Sequence, residues 1–188
     1  MTGGAPLPFG PALRQPDQRS CGAAVVVVAR MLADPAYAER ALPRFGAEVL
    51  AAHRRLTGAR DATGALQAPW PRAVGTPPWA VARALPRGPH GVRRARGRFE
   101  DLLRAVGHGP AALYVGDRWL PRHVLLAVGR DGDGPAARLG VYDPGSGTVR
   151  TLTRDAYADA ALPLGRWRRP WFVVLPTRSA QASAASAA

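Results

Sequence analysis

The spacing of apolar residues changes near the middle of the chain. In the first half, segment 45–56 places an apolar residue at every third or fourth position, which indicates a helix with one buried face. From residue 90 onwards, short apolar runs alternate with turn signals such as the Asp-Gly-Asp-Gly stretch at 131–134. We therefore predict an α+β fold, with an N-terminal helical part packed on an antiparallel C-terminal sheet.

The same patterns set the bounds of the predicted elements. Helices are expected at 21–33, 36–42, 45–56, 79–85, 99–106 and 154–161. Strands are expected at 91–95, 111–115, 123–129, 138–142, 148–152 and 171–175, arranged as a meander. Four residues are expected to cap helices with their side chains: Ser20, Asp34, Thr76 and Thr153.

The segment behind Cys21 carries conflicting signals. Four consecutive valines, Val25 to Val28, favour a buried strand because each is β-branched. The alanines before them and the 29–33 stretch after them lengthen the element to about 13 residues, which is long for a strand. We therefore predict a helix that is apolar on nearly every side and lies at the centre of the core.

A length of 188 residues fits one domain. Residues 1–14 are predicted to form an extended lead-in, 15–178 a single domain, and 179–188 a disordered tail of Ser, Ala and one Gln. No apolar run approaches the ~20 residues of a membrane span, and the N-terminus lacks the pattern of a signal peptide. We therefore expect a cytoplasmic protein without a membrane partner, although export by a leaderless route stays open.

The charge of the chain comes entirely from arginine. All 26 basic residues are arginine, the net charge is +13, and Ala, Gly and Pro are abundant, which together indicate a codon bias. This charge predicts only non-specific attraction to nucleic acid. One cysteine excludes an internal disulfide, and the four histidines show no ligand spacing, so we expect neither a metal nor another cofactor.

Cys21 is the candidate nucleophile. A thiol attacks well only as a thiolate, and a helix that begins at Cys21 would favour the anion through its positive end. The backbone N–H of Cys21 and the side-chain amide of Gln15 are candidate donors to an oxyanion. Gly22 is expected to leave room for a substrate backbone. Alternatively, Cys21 is a buried structural cysteine, and Gln15, like Gln18, is an ordinary surface residue.

Among the four histidines, His123 is the best candidate for the base. It begins an apolar strand, whereas His53 is expected on an exposed helix, and His90 and His108 in loops rich in Gly and Pro. Asp143 ends the next predicted strand, and antiparallel neighbours place the start of the first beside the end of the second. His123 and Asp143 are therefore expected to meet, although Asp is also common in turns.

Together these positions resemble the papain-like cysteine peptidases, most closely the type that processes bacteriocin leaders and its free-standing relatives. The similar motifs are Gln15, five residues, then Cys21-Gly22-Ala23; His123-Val-Leu-Leu-Ala-Val-Gly; and Val-Tyr-Asp143-Pro144-x-Ser-Gly. The resemblance implies a papain-like fold with Cys21 on a central helix and with His123 and Asp143 on an antiparallel sheet. It also implies a catalytic site in which Gln15 is the oxyanion donor, Cys21 the nucleophile, His123 the base and Asp143 its orienter.

The chain also departs from that type. It has no transmembrane segment and no GxxxxGK[ST] loop, and segment 34–85 matches no motif, so specificity for paired glycines is not transferred. The expected function is hydrolysis of a peptide or isopeptide bond in a peptide or protein substrate.

Three other functions stay open. The same residues would serve an acyl transferase of the transglutaminase or toxin kind. The run Arg93-Arg94-Ala95-Arg96-Gly97-Arg98 is compatible with a non-catalytic basic module that binds nucleic acid, or with a solvated edge strand. The third alternative is a papain-like fold that has lost its activity. The oligomeric state stays undetermined.

Overall fold

A computed structural model of the chain describes residues 7–61 and 63–177. Its helices are α1 (Cys21–Ala33), α2 (Pro35–Ala41), α3 (Phe45–Leu56), α4 (Pro78–Ala84), α5 (Phe99–Ala105) and α6 (Arg154–Ala158). Its strands are β1 (His90–Arg94), β2 (Ala111–Gly116), β3 (Pro121–Asp131), β4 (Arg138–Asp143), β5 (Thr148–Leu152) and β6 (Arg169–Pro176). These elements confirm the predicted α+β class and lie within a few residues of the predicted bounds.

The strands form one antiparallel sheet in the order β1-β6-β2-β3-β4-β5. Strands β2 to β5 form the predicted meander, because each is hydrogen-bonded to the next along the chain. The position of β6 differs from the prediction, because this last strand lies between β1 and β2 and not beside β5. Local turn signals describe the meander, whereas the insertion of β6 is a long-range pairing that they do not encode.

Helices cover both faces of the sheet. Helices α1 to α4 share one buried cluster with sheet residues such as Tyr114 and Leu126, and α5 and α6 share a second cluster with residues such as Leu113 and Leu125. Neighbouring residues of one strand thus face opposite cores. This arrangement explains why every residue of β2 is buried.

Helix α1 is the central element of the first core. It packs against β3 and contacts α2, α3 and α4. Val25 and Val28 have no exposed surface. The helical assignment of the valine run is therefore confirmed: contacts on nearly all sides offset the weak helix propensity of the β-branched residues.

The predicted helix caps have mixed outcomes. Asp34 accepts a hydrogen bond from the backbone of Tyr37 at 3.0 Å, and Thr153 accepts one from Ala156 at 3.2 Å, so both caps are confirmed. Ser20 occupies the position before α1, but its side chain makes no cap bond. Thr76 does not cap α4 either, because the helix begins after Pro77 and the Thr76 side chain turns into the core.

Part of the predicted lead-in packs against the domain. Pro11–Leu13 forms a short 3-10 helix, and Leu13 has no exposed surface. The carbonyl of Leu13 accepts a hydrogen bond from the Tyr142 hydroxyl at 2.5 Å. Residues 7–14 are thereby anchored beside the end of β4; residues 1–6 and the predicted tail at 179–188 lie outside the described residues. No helix within 7–61 and 63–177 is long and apolar enough to cross a membrane.

Candidate active site

Cys21 is the first residue of α1, and only 5% of its surface is exposed. The turn before it is fixed by Asp17, whose carboxylate accepts hydrogen bonds from the backbone N–H groups of Arg19 and Ser20, each at 2.8 Å. Because the first N–H groups of a helix have no partner within the helix, they create a positive potential at its start. The thiol therefore lies where a negative charge is favoured.

His123 and Asp143 meet at the end of the β3–β4 hairpin. Nε2 of His123 lies 2.7 Å from Oδ1 of Asp143, and both side chains are about nine-tenths buried. The two residues are 20 positions apart in sequence. Their contact follows from the topology, since β3 begins where its antiparallel neighbour β4 ends.

Asp143 has two further partners. The backbone N–H of Gly145 donates to Oδ1 at 2.9 Å, and Nε of Arg150 lies 2.9 Å from Oδ2. Sequence reasoning missed Arg150. A weak signal was present, because β5 pairs Thr148 with Asp143 and residues two positions apart share a face.

The environment of His123 favours its charged form. Burial alone would lower the pKa of His123, but hydrogen bonds with Asp143 and Cys21, together with their charges, raise it to about 9. Burial likewise would raise the pKa of Asp143, yet hydrogen bonds from His123, Gly145 and Arg150 and the charge of His123 hold it well below its usual range. At neutral pH the pair is therefore an imidazolium and a carboxylate.

The hydrogen bond with Asp143 distinguishes the two ring nitrogens of His123. Nε2 of the charged ring donates to Asp143, which leaves Nδ1 as the ring nitrogen available to a second group. The interaction of Cys21 with the ring also contributes to its raised pKa. Cys21 and His123 line one cleft, and His123 contacts Asp143, so the three side chains lie together at one place.

A cleft of about 440 Å³ opens over Cys21 and His123. Its lining includes Trp70 and Val74 from the 70–78 segment and Leu120 from the loop between β2 and β3. A substrate bound in this cleft would lie beside the thiol.

Gln18 lines the cleft over Cys21, whereas Gln15 does not. Gln15 is not among the residues that line the cleft; it lines an adjoining groove with Gly145, and its side-chain amide donates to the backbone carbonyl of Asp17. The backbone N–H of Gln15 donates to the Pro144 carbonyl at 2.9 Å, which ties it to the residue after Asp143. Gln18 lines both the cleft and the groove.

The expectation that Gly22 leaves room for substrate is wrong. A Cβ at this position would lie 2.7 Å from Cβ of Thr76, so the space beside Gly22 is filled by the protein itself. Thr76 is held there by Oγ1, which lies 3.2 Å from Nδ1 of His53, and by its carbonyl, which accepts from the Tyr114 hydroxyl at 3.0 Å. Gly22 thus allows close packing between the start of α1 and the 70–78 segment.

The other histidines do not line the cleft over Cys21. His53 is 6% exposed and burial lowers its pKa, which corrects the prediction of an exposed position. His90 begins β1, and its ring nitrogens lie 2.9 Å and 3.0 Å from the carbonyls of Gly88 and Pro110. His108 is exposed in a turn. Over the part of the chain that the structure describes, no group of three or more His, Cys, Asp or Glu side chains is arranged to hold a metal ion.

The arginine run at 93–98 lies at one edge of the sheet. Arg93 and Arg94 are exposed on β1, and Arg98 pairs with Asp101 at 2.8 Å. This geometry is that of a charged edge strand, which discourages further strand pairing.

Comparison of the sequence with profiles of known protein families finds no match, and comparison with curated proteins finds none either. What the site does must therefore be inferred from its geometry and chemistry.

Proposed function

We propose that the protein is a cysteine peptidase-like hydrolase that cleaves a peptide or isopeptide bond through an acyl-enzyme on Cys21. The observation that carries this proposal is the 2.7 Å contact between His123 and Asp143, in a site where the pKa of His123 is raised by both Asp143 and Cys21. A nucleophile, a base and a carboxylate that orients the base are the parts that such chemistry requires.

In the first half-reaction the Cys21 thiolate attacks the carbonyl carbon of the scissile amide. The resulting tetrahedral oxyanion collapses when Nδ1 of His123 gives its proton to the leaving amine, and a thioester to Cys21 remains. Asp143 keeps Nε2 protonated and the ring oriented throughout.

In the second half-reaction neutral His123 takes a proton from water, and the hydroxide formed attacks the thioester. Collapse of this second tetrahedral species releases the carboxylic acid product and returns Cys21 as a thiolate beside the imidazolium. Atoms and charges balance, because the added water supplies the hydroxyl of one product and the hydrogen gained by the other.

The backbone N–H of Cys21 and the side-chain amide of Gln15 are the proposed oxyanion donors. In the resting structure this amide donates to Asp17, so the assignment requires the Gln15 side chain to exchange that carbonyl for the oxyanion. Its backbone tether to Pro144 supports the assignment by holding Gln15 next to the His123–Asp143 pair.

We extend the proposal to a papain-like fold. A central helix begins at the cysteine and packs on the strand that carries the histidine near its start, which is the order of parts implied by the sequence resemblance. The carboxylate at the end of the next strand completes that order.

The proposal is tested by acylation with p-nitrophenyl acetate, which forms an acyl-enzyme without requiring the natural substrate. Rapid acid quenching and mass spectrometry should find an acetyl group on Cys21, together with a burst of p-nitrophenolate. The Cys21→Ser and His123→Gln variants should lose both signals. Absence of acetyl-Cys21 in the wild type, with a release rate unchanged in Cys21→Ser, would overturn the proposal.

Hydrolysis is separated from acyl transfer by adding glycinamide to the same reaction. A hydrolase releases mainly acetate, since water resolves the thioester. Predominant formation of the acetyl amide would instead identify an acyl transferase with the same first half-reaction.

A further inference from the structure

The cleft over Cys21 is cationic. Apart from His123, the charged side chains that line it are Arg19 and Arg122, and no Asp or Glu is among its lining residues.

The two carboxylates nearest in sequence to these arginines are held by local bonds. Asp17 accepts from the backbone N–H groups of Arg19 and Ser20. Asp117 accepts from the backbone N–H groups of Trp119 and Leu120 at 2.7 Å and 2.9 Å. It meets Arg122 at only one atom pair, Oδ2 and Nε, 3.3 Å apart, so the guanidinium keeps donors for a ligand.

The cleft also has an exposed apolar rim. Val74 and Leu120 are 67% and 51% exposed, although both line the cleft. Trp70 and Trp167 add aromatic surface to the lining, and Trp70 is supported from behind by an edge-on contact with Trp79 at 5.1 Å. Exposed apolar groups that line one cleft are a binding surface rather than scattered surface residues.

We propose that the cleft selects a peptide that carries a large apolar side chain and an acidic side chain within a few residues of the bond that Cys21 attacks. This inference rests on the proposed function, because it assigns the substrate class of the same site. The apolar side chain packs against Val74 and Leu120, and the carboxylate is paired with Arg19 and Arg122. A peptide with basic residues at these positions is rejected by like-charge repulsion.

The charge preference is tested with two alkylating reagents, anionic iodoacetate and neutral iodoacetamide, each rate being divided by its rate with free glutathione. Cys21 should prefer iodoacetate by roughly tenfold, since a cleft lined by one sign of charge raises the encounter rate of the opposite sign. His123 contributes to this preference, so the arginines are isolated by the Arg19→Gln/Arg122→Gln double variant, which should lose most of it. Arg138→Gln, at the far end of β4 from Asp143, removes an exposed arginine elsewhere and should keep it.

The apolar preference is tested with N-phenyl iodoacetamide against iodoacetamide. The wild type should favour the phenyl reagent several-fold, and Val74→Ser/Leu120→Ser should abolish that preference. Leu66→Ser is the matched control, because Leu66 is 73% exposed but does not line the cleft.

The results separate this inference from the proposed function. If the wild type and both cleft double variants show the same reagent preferences, the substrate inference is overturned, while rapid alkylation at low pH still supports the catalytic pair. If Cys21 reacts no faster than free glutathione with every reagent, the proposed function fails, and the inference that rests on it fails as well.

Discussion

Arg150 holds the oxygen of Asp143 that His123 does not use. Its Nε lies 2.9 Å from Oδ2, while Oδ1 faces the imidazole at 2.7 Å. The carboxylate is thus held at both oxygens, which fixes its orientation towards the ring. Because Arg150 contacts no reacting atom, its proposed part is positioning.

We predict that Arg150→Gln lowers the rate of Cys21 acylation about fivefold. The expected loss of about 1 kcal/mol is small because the Arg150 side chain is 42% exposed and the ion pair is screened by solvent. Asp143 should also become easier to protonate, so the acid limb of the pH–rate profile should move to higher pH. Arg150→Lys should restore part of the rate, and Arg138→Gln should leave the rate unchanged. An unaltered pH–rate profile in Arg150→Gln would contradict a positioning role for Arg150.

We predict a pH-dependent contribution of the His123–Asp143 pair to stability. The pKa of His123 is raised from the unfolded value of about 6.5 to about 9, so its contribution is fully present below pH ~6.5 and is lost as the pH rises through about 9. Asp143→Asn removes the carboxylate and should therefore destabilise the protein by about 1–3 kcal/mol at pH ~6, and by less above pH ~9.

Urea denaturation at both pH values measures this difference. Asp34→Asn is the control, because asparagine caps a helix as well as aspartate does and Asp34 pairs with no histidine. A wild-type advantage over Asp143→Asn that is constant between the two pH values would contradict the prediction.

We predict that Gly22→Ala destabilises the protein by about 1–3 kcal/mol, because the new Cβ would overlap Thr76 and both groups belong to packed backbone segments. The thiol at the neighbouring position should be displaced as well, so acylation should slow. Gly46→Ala is the matched control in α3, where the nearest atom to a new Cβ is 3.7 Å away. That variant should be neutral or stabilised by up to about 1 kcal/mol; equal effects of the two substitutions on the urea midpoint would refute the packing explanation.

We predict that Gln15 contributes more to acylation than Gln18. Loss of one oxyanion donor typically costs about 10²-fold or more, so Gln15→Ala should fall in that range. Gln18→Ala should change the rate by less, because this exposed side chain lines the cleft but is not tethered beside the His123–Asp143 pair. Single-turnover acylation rates of the two variants test this prediction. A larger loss in Gln18→Ala would indicate that Gln18, and not Gln15, is the oxyanion donor.

The proximity of His123 and Asp143 is predictable because it follows from the topology of one hairpin. Any hairpin that pairs these strands in antiparallel fashion brings the start of one to the end of the other. The helix behind Cys21 is predictable for a similar reason, since its length outweighs the strand propensity of four valines. Both predictions depend on local patterns or on connections between neighbours in sequence.

The contacts that were missed depend on how distant segments pack. His53 lies on the buried face of α3 with Val49 and Leu56, and the helical spacing of that face includes position 53. Its contact with Thr76, 23 positions away, is what no local pattern indicates. The partner of Gly22 is the same Thr76, which the sequence places more naturally as a helix cap. Arg150 reaches Asp143 only because the register of β4 and β5 sets their separation. Such side-chain contacts follow from the register and packing of the whole domain.

The most direct test of the central claim is the pH dependence of iodoacetamide alkylation at Cys21, in the wild type and in His123→Ala. A thiolate paired with imidazolium predicts rapid alkylation at pH ~6, far below the ordinary thiol pKa of about 8.5, and loss of this reactivity in His123→Ala. His108→Ala, which changes an exposed histidine in a turn, should behave as the wild type does. Slow alkylation of the wild type at pH ~6, or equal rates in wild type and His123→Ala, would contradict the claim that Cys21 and His123 form a catalytic pair.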